Sequence, residues 1–279
     1  DSGQPLLEHF DLAVAYLEGG STYFVHDYVD AEKKAAFIHV DYERAGYSRS
    51  LDKDCYREFD RIFTVSDEVK QSFLNVYPEC IGRTYVFHNL INQEEIRRKA
   101  ELPGGFEDSY DGKRILTVGR LTAQKAYEFS IDAMKLLKDH GVKARWYVLG
   151  EGELREKLQF KINKLGLKDD FILMGARENP FPYYKQCNLY VHASRFEGKS
   201  IAIQEAQTLG CTLVVSDCSG NREQVEPGVD GMMCRLNAKE ICDTVEALLK
   251  DEEKCRELGK KAAEKSFLED KDVLKPFDF

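Results

Sequence analysis

Glu197 and Glu205 stand eight residues apart in the stretch Ser194-Arg195-Phe196-Glu197-Gly198-Lys199-Ser200-Ile201-Ala202-Ile203-Gln204-Glu205-Ala206. The stretch reads as a loop that turns into a helix. Gly198 lets the backbone turn, and Ser200 is an N-cap candidate for a helix running to about Leu209. The N–H groups at such a helix start have no partner within the helix and suit an anion. Two carboxylates flanking them suit a ligand that carries both phosphate and hydroxyls: N–H groups take the anion, and carboxylates accept from hydroxyls. The plainer reading is a solvated helix residue and a loop residue, because a chain with 49 acidic side chains throws up such pairs by chance.

A second group lies earlier, in Val118-Gly119-Arg120-Leu121-Thr122-Ala123-Gln124-Lys125. Arg120 can fork onto a phosphate, and Lys125 can add a point charge from what reads as a helix start. A cation at a helix N-terminus works against the dipole, so Lys125 is an odd choice for stability alone. Two solvated surface cations would look the same. His39 sits at the end of the apolar run Ala35-Ala36-Phe37-Ile38-His39-Val40, where a satisfied strand-end histidine is the plain alternative to a functional one. His9, His26, His140 and His192 have no convergent partner in the sequence and read as structural.

Strands and helices must alternate to place these residues. Apolar runs mark strands at 12–16, 35–40, 61–65 and 84–87, with helices at 22–29, up to 59, after Ser66 and after Asn92. Residues 103–112, rich in Pro, Gly and polar side chains, form the expected linker. A second series places strands at 115–118, 145–149, 171–174, 189–192, 212–215 and 231–234. Its helices are expected at 125–139, after Gly150-Glu151-Gly152 to about Leu165, at 180–186, from Ser200, at 238–249 and at 252–267. The runs are continuous rather than alternating, as in parallel strands covered on both faces. The expectation is an α/β chain with two parallel-sheet units and ligand sites beyond the C-terminal strand ends. Aromatic residues at 181–184 read as packing.

The chain has 279 residues, 43% hydrophobic and 32% charged, the composition of an ordinary globular protein. A net charge of −9 argues against a nucleic-acid binder with a broad basic face. Eight cysteines show no C-x-x-C and no zinc spacing, so reduced thiols in a cytoplasmic protein are expected, with no metal and no cofactor. No apolar run has the length of a transmembrane helix. The opening Asp1-Ser2-Gly3-Gln4-Pro5 lacks a start signal, and the chain is expected to begin partway through a larger protein.

Val118-Gly119-Arg120 with Lys125, Gly150-Glu151-Gly152, Phe196-Glu197-Gly198, the Glu197/Glu205 pair and Gly228-Val229-Asp230-Gly231 together, and in this order, resemble the donor half of retaining glycosyltransferases of family 4, which have the GT-B fold. The resemblance covers about 114–249. Ile38-His39-Val40-Asp41, Val65-Ser66 and His88-Asn89-Leu90-Ile91-Asn92 resemble the second half of that family's N-terminal domain. His88 replaces the family's usual Pro, its Gly is absent from the same turn, and Lys125-Ala126 stands where the family has Lys-Gly. The first strands of the N-terminal domain and the acceptor-side glycine loop have no counterpart in the sequence.

The resemblance implies a partial acceptor-side Rossmann-like domain at 1–105, a donor-binding one at 106–268 and a tail at 269–279. It implies transfer of a sugar from a nucleotide-sugar, UDP- or GDP-linked, to an acceptor hydroxyl with retention and without metal. Arg120 and Lys125, with N–H groups near Gly198 to Ile201, would stabilise the charge that grows on the leaving diphosphate, while Glu197 and, from the other domain, His39 would act at the donor sugar. Glu205 would hold the ribose, and Gly119, Gly150, Gly152, Gly198, Lys199, Ser200 and Ile201 would line the donor. Domain closure would complete the site. The acceptor would be a sugar, a polysaccharide or a lipid-linked saccharide in cell-surface synthesis, with location in the cytoplasm or, through that acceptor, at the inner face of the membrane. The alternatives are a nucleotide-sugar-binding fragment without activity, or a GT-B enzyme of another reaction type such as an epimerase or phosphorylase.

Overall fold

The computed structural model describes residues 6–267, so the opening five residues and the expected tail lie outside the described residues. The chain divides into two compact units. One runs to Leu90 and takes in Phe196–Lys199; the other holds Ile91–Arg195 and residues 200–267.

The first unit contains β1 (His9–Ala15), α1 (Gly20–Tyr28), β2 (Asp30–Ile38), α2 (Arg49–Asp52), β3 (Arg61–Thr64), α3 (Asp67–Val76) and β4 (Thr84–Val86). Its strands form one sheet in the order β1-β2-β3-β4, each pair parallel. Ser66 caps α3 by accepting from the Val69 N–H, as expected from sequence, and Asp67 and Glu68 fill the first turn. Strand β2 begins five residues before the expected start at 35. Its polar half, Asp30–Lys34, has no apolar signature and is held by parallel register against β1, with His9 opposite Asp30 and Lys34 opposite Ala13.

Ala13, Ala15, Ala36, Ile38 and Ile62 pack with Val25 of α1 and with Val69 and Phe73 of α3. The stretch Glu43–Asp54, polar in sequence, supplies the buried Asp52. Its carboxylate accepts from the Tyr23 hydroxyl at 2.6 Å and from the Tyr42 hydroxyl, which meets the cost of burying a charge.

The second unit contains α4 (Gln93–Ala100), β5 (Lys113–Val118), α5 (Tyr127–Asp139), β6 (Ala144–Leu149), α6 (Arg155–Lys164), β7 (Phe171–Gly175), α7 (Phe181–Gln186), β8 (Leu189–His192), α8 (Ile201–Thr208), β9 (Leu213–Ser216), α9 (Ser219–Arg222), β10 (Met232–Cys234), α10 (Ala238–Leu249) and α11 (Glu252–Ala263). The sheet order is β10-β9-β8-β5-β6-β7, all parallel. This is a doubly wound sheet whose strand order reverses between β5 and β8.

Successive residues of each strand enter opposite cores. Ile115, Trp146, Val148 and Val191 pack toward α5, α6 and α10. Leu116, Tyr147, Leu149 and Tyr190 pack toward α7 and α8. Burial on both faces is why these strands read as unbroken apolar runs. Polar groups inside the sheet are tied down: the Trp146 indole N–H donates to the Thr117 hydroxyl at 2.9 Å, which donates to the Val191 carbonyl at 2.7 Å. That chain links β6, β5 and β8 across the reversal.

Helix α5 starts at Tyr127, not Lys125. Residues Ala123–Lys125 form a 3-10 turn, and Ala126 adopts φ 49°, which breaks the helix ahead of Tyr127. Lys125 therefore does not sit in the first turn of the long helix, and its conflict with the dipole is relieved. Helix α11 ends at Ala263 rather than Phe267, where Lys265 turns back to the Asp230 carboxylate and the Gln224 carbonyl.

Candidate functional site

Open α/β sheets bind ligands in the crevice at the C-terminal strand ends where the strand order reverses, which here falls between β5 and β8. The exit of β5 carries Gly119, Arg120 and, one turn later, Lys125. The exit of β8 carries Ser194 and Arg195 and leads on to Ser200 and α8.

Gly119 is fixed by backbone: its N–H donates to the Leu149 carbonyl at 2.9 Å, and its carbonyl accepts from the Tyr127 hydroxyl at 2.8 Å. Gly150 and Gly152 are glycines because the β5 exit passes directly against them. A Cβ on Gly150, where φ is +150°, would stand 2.0 Å from the Gly119 carbonyl oxygen. A Cβ on Gly152 would stand 2.5 Å from the Leu121 carbonyl oxygen. The pair thus shapes the loop that carries Arg120.

Arg120 is exposed, and its guanidinium has no hydrogen bond or ion pair among the described residues. Lys125 differs. Its Nζ lies 3.3 Å from His192 Nε2. An ammonium has no lone pair to offer, so Nε2 accepts and the ring proton sits on Nδ1. Nδ1 lies 3.1 Å from the Tyr190 oxygen, and the Tyr190 hydroxyl in turn reaches the Val118 carbonyl at 3.4 Å. The buried His192, read from sequence as structural, is therefore the seat of one of the expected site cations.

The two exit loops are stapled together. The Arg195 N–H donates to the Gln124 carbonyl at 2.8 Å, and its guanidinium pairs with Glu128 and the Ala123 carbonyl. Burial is the largest influence on the Glu128 carboxyl and works to raise it, but the Arg195 and backbone hydrogen bonds and the Arg195 and Lys161 charges together outweigh it and hold the group below its ordinary value. Ser194 is pinned to the end of β9: its N–H donates to the Ser216 hydroxyl at 2.8 Å, and that hydroxyl donates back to the Ser194 carbonyl at 2.7 Å.

Ser200 stands at the N-cap of α8, with φ −74° and ψ 115°, but its hydroxyl makes no capping hydrogen bond. Ile201, which opens the helix, is half exposed at 48%. On the same helix Glu205 is half-buried. Its Oε2 accepts from the Tyr184 hydroxyl at 2.9 Å. Burial pushes the Glu205 carboxyl up from its ordinary value, against the pull of that hydrogen bond. Tyr184, read from sequence as packing, thus also orients a site carboxylate.

Four of the sequence-selected residues belong to the first unit: His39, Glu197, Gly198 and Lys199. His39 follows the last residue of β2. Its backbone N–H donates to Glu18 Oε2 at 2.9 Å, while its ring Nε2 lies 2.8 Å from the Tyr16 carbonyl. A carbonyl only accepts, so Nε2 carries a proton, and in the neutral ring Nδ1 keeps the lone pair. The ring stacks on Phe37 at 6.0 Å. A Cβ on Gly198 would meet the His39 carbonyl oxygen at 2.0 Å, so these two positions touch through backbone. Glu197 is buried, and Lys199 Nζ lies 3.1 Å from His88 Nδ1. In the second unit the structure brings Gly119 to Gly150, and Lys125 to His192.

Known proteins share this framework. Over 179 residues the chain is 30% identical to an uncharacterized glycosyltransferase of Methanocaldococcus jannaschii, covering 62% of this chain and 43% of that protein. Over 169 residues it is 30% identical to the N-acetylgalactosamine-N,N'-diacetylbacillosaminyl-diphospho-undecaprenol 4-alpha-N-acetylgalactosaminyltransferase of Campylobacter jejuni, covering 60% and 44%. The match thus spans less than half of either relative. The crystal structure of Anabaena HepE in complex with UDP-glucose superposes with a TM-score of 0.71 at 18% identity, over 88% of this chain and 68% of that one. The two Rossmann-like parallel-sheet units match GT-B structures in fold. The family model described as glycosyl transferases group 1 matches residues 94–265, more than half of the sequence, and the chain belongs to that family.

Proposed function

We propose that the chain transfers a sugar from a UDP- or GDP-linked donor to an acceptor hydroxyl, with retention of configuration. The observation that carries the reading is the switch point of the second unit. There an exposed arginine without a partner among the described residues, a lysine seated on a buried histidine and a helix start not capped by its own serine gather at the C-terminal strand ends. The leaving group is a nucleoside diphosphate, so negative charge grows on its phosphates as the glycosidic bond breaks. Arg120, Lys125 and the N–H groups of Ser200 and Ile201 would stabilise that charge in place of a metal. Glu205 would accept from the ribose hydroxyls.

Within the first unit, His39 offers its Nδ1 lone pair to a sugar hydroxyl, a positioning contact that needs no proton transfer. Glu197 would accept from donor-sugar hydroxyls or balance oxocarbenium character. In this reading residues 106–268 serve as the donor domain and 1–105 as the acceptor side.

The names of the relatives point the same way. The Campylobacter protein is named for a diphospho-undecaprenol-linked substrate, and HepE was crystallised with UDP-glucose. A sugar or lipid-linked acceptor in cell-surface synthesis follows by analogy. No helix among the described residues is long and apolar enough to cross a membrane.

The test is a transfer assay with UDP- and GDP-hexoses and simple glycoside acceptors, with the anomeric proton of the product read by NMR. A product with the donor's anomeric configuration supports the proposal, and an inverted product contradicts it. Nucleotide-sugar binding with no product from any acceptor, lipid-linked ones included, favours a binding module instead.

A further inference from the structure

At the other edge of the second unit's sheet, by the N-terminal strand ends, three metal-ligating side chains converge. His140 caps the C-terminus of α5, and Cys242 and Glu246 stand one turn apart on α10. One ligand atom from each lies within 4.8 Å of the other two. His140 Nδ1 is 2.6 Å from Glu246 Oε2 and 3.9 Å from Cys242 Sγ.

We propose that His140, Cys242 and Glu246 form a binding site for a borderline-soft divalent cation of the zinc class, with its fourth position open to water. A thiolate, an imidazole and a carboxylate together suit zinc; magnesium and calcium take oxygen ligands. In a tetrahedral site, ligand atoms at about 2.0–2.3 Å from the ion stand roughly 3.3–3.7 Å apart. The His140 separations of 2.6 and 3.9 Å bracket that range, and the third pair lies within 4.8 Å, so small side-chain adjustments assemble the site.

The frame is rigid. Met134 and Leu137 of α5 share one core with Ile241, Val245 and Leu248 of α10. The carboxylate is oriented from behind: Lys250 holds Glu246 Oε1 at 2.6 Å and leaves Oε2 for the ion. Entry is open, because the His140 side chain is 45% exposed and a cavity of about 600 Å³ beside it is lined by His140, Glu246 and Lys250. On loading, the ion replaces the proton on Sγ, which leaves to solvent, and the neutral imidazole shifts its remaining proton to Nε2. The site stands apart from the crevice at the C-terminal strand ends. Its effect would be to clamp α5 to α10.

The test is titration of the reduced full chain with cobalt(II), a spectroscopic stand-in for zinc, followed by competition with zinc. The expected result is a thiolate-to-cobalt charge-transfer band that saturates at one equivalent, is displaced by zinc, and is lost in Cys242→Ser and weakened in His140→Ala. Circular dichroism establishes that each variant is folded. His140→Ala, on an exposed helix end, carries the test if the buried serine variant does not fold. No band in the wild type, or a band of wild-type strength in either folded variant, would overturn the proposal.

Discussion

Lys125 Nζ lies 3.3 Å from Nε2 of His192, a buried histidine at the end of β8, although the two residues belong to different exits of the sheet. The contact aims a cation that otherwise has four rotatable carbons of freedom. If Lys125 contacts the diphosphate, Lys125→Ala should weaken nucleoside-diphosphate binding by about 10- to 100-fold, the range for a charged hydrogen bond. Affinity for the bare nucleoside should change little. His192→Phe leaves the Lys125 charge in place and removes its acceptor, along with the Nδ1 contact to Tyr190, so its loss should be smaller, about 1 kcal/mol or fivefold. Calorimetry on both variants checks the order. Equal losses for nucleoside and nucleoside diphosphate would contradict a phosphate role.

Arg120 has no partner among the described residues to lose. Arg120→Ala should therefore leave the thermal midpoint where it is while lowering donor affinity by about tenfold or more. A clear drop in the midpoint would mean that the side chain serves the fold instead.

Glu205 should show its raised carboxyl in a pH series. Burial raises its proton affinity in the native chain above that of the unfolded one. That contribution to stability is full below the unfolded carboxylate value, about 4.3, and is lost as pH rises through the higher native value. Glu205→Gln abolishes the titration, so its stability relative to wild type should rise between about pH 4 and pH 7. Urea midpoints across that range check it, and a pH-independent difference would count against it.

The two site glutamates should divide their labour. Glu205→Ala should weaken nucleotide binding, through the lost ribose contact. Glu197→Ala should mainly lower transfer, with nucleotide affinity closer to wild type. Side-by-side calorimetry and turnover on the two variants decide this, and equal losses of affinity would sink the division.

Gly150 and Gly166 separate backbone strain from collision. Both have positive φ, but nothing lies within 4 Å of a Cβ on Gly166, whereas one on Gly150 meets the Gly119 carbonyl at 2.0 Å. Gly166→Ala should cost about 1–2 kcal/mol. Gly150→Ala should cost at least about 3 kcal/mol, since the β5 exit must also move. Chemical denaturation of both measures the gap.

Much of the architecture was legible because two-sided burial writes unbroken apolar runs, as at Ile115-Leu116 and Leu189-Tyr190-Val191, and because Ser66 and Asn92 announce their helices. What stayed hidden was whatever depends on contacts distant in sequence. The polar half of β2 is a strand only through its pairing with β1. The break before α5 is a backbone choice at Ala126 that no residue type signals. His192 lies 67 residues from Lys125, and His140 lies 102 from Cys242, so no local spacing could join either pair. Tyr184 looked like packing because its ring is packing; only the hydroxyl end, on Glu205, belongs to the site. Ser216 carried the weak signal of a small polar residue at a strand exit, and in the structure it anchors Ser194.

The central claim is that the crevice between the exits of β5 and β8 binds the diphosphate of a nucleotide-sugar. The most direct measurement is calorimetric titration of this chain with UDP, GDP, ADP and their sugar conjugates, first in chelator and then with magnesium. The expected result is binding of one nucleotide series in chelator, little changed by magnesium and lost in Arg120→Ala. A folded chain that binds none of them, or binds one with undiminished affinity in Arg120→Ala, would contradict it.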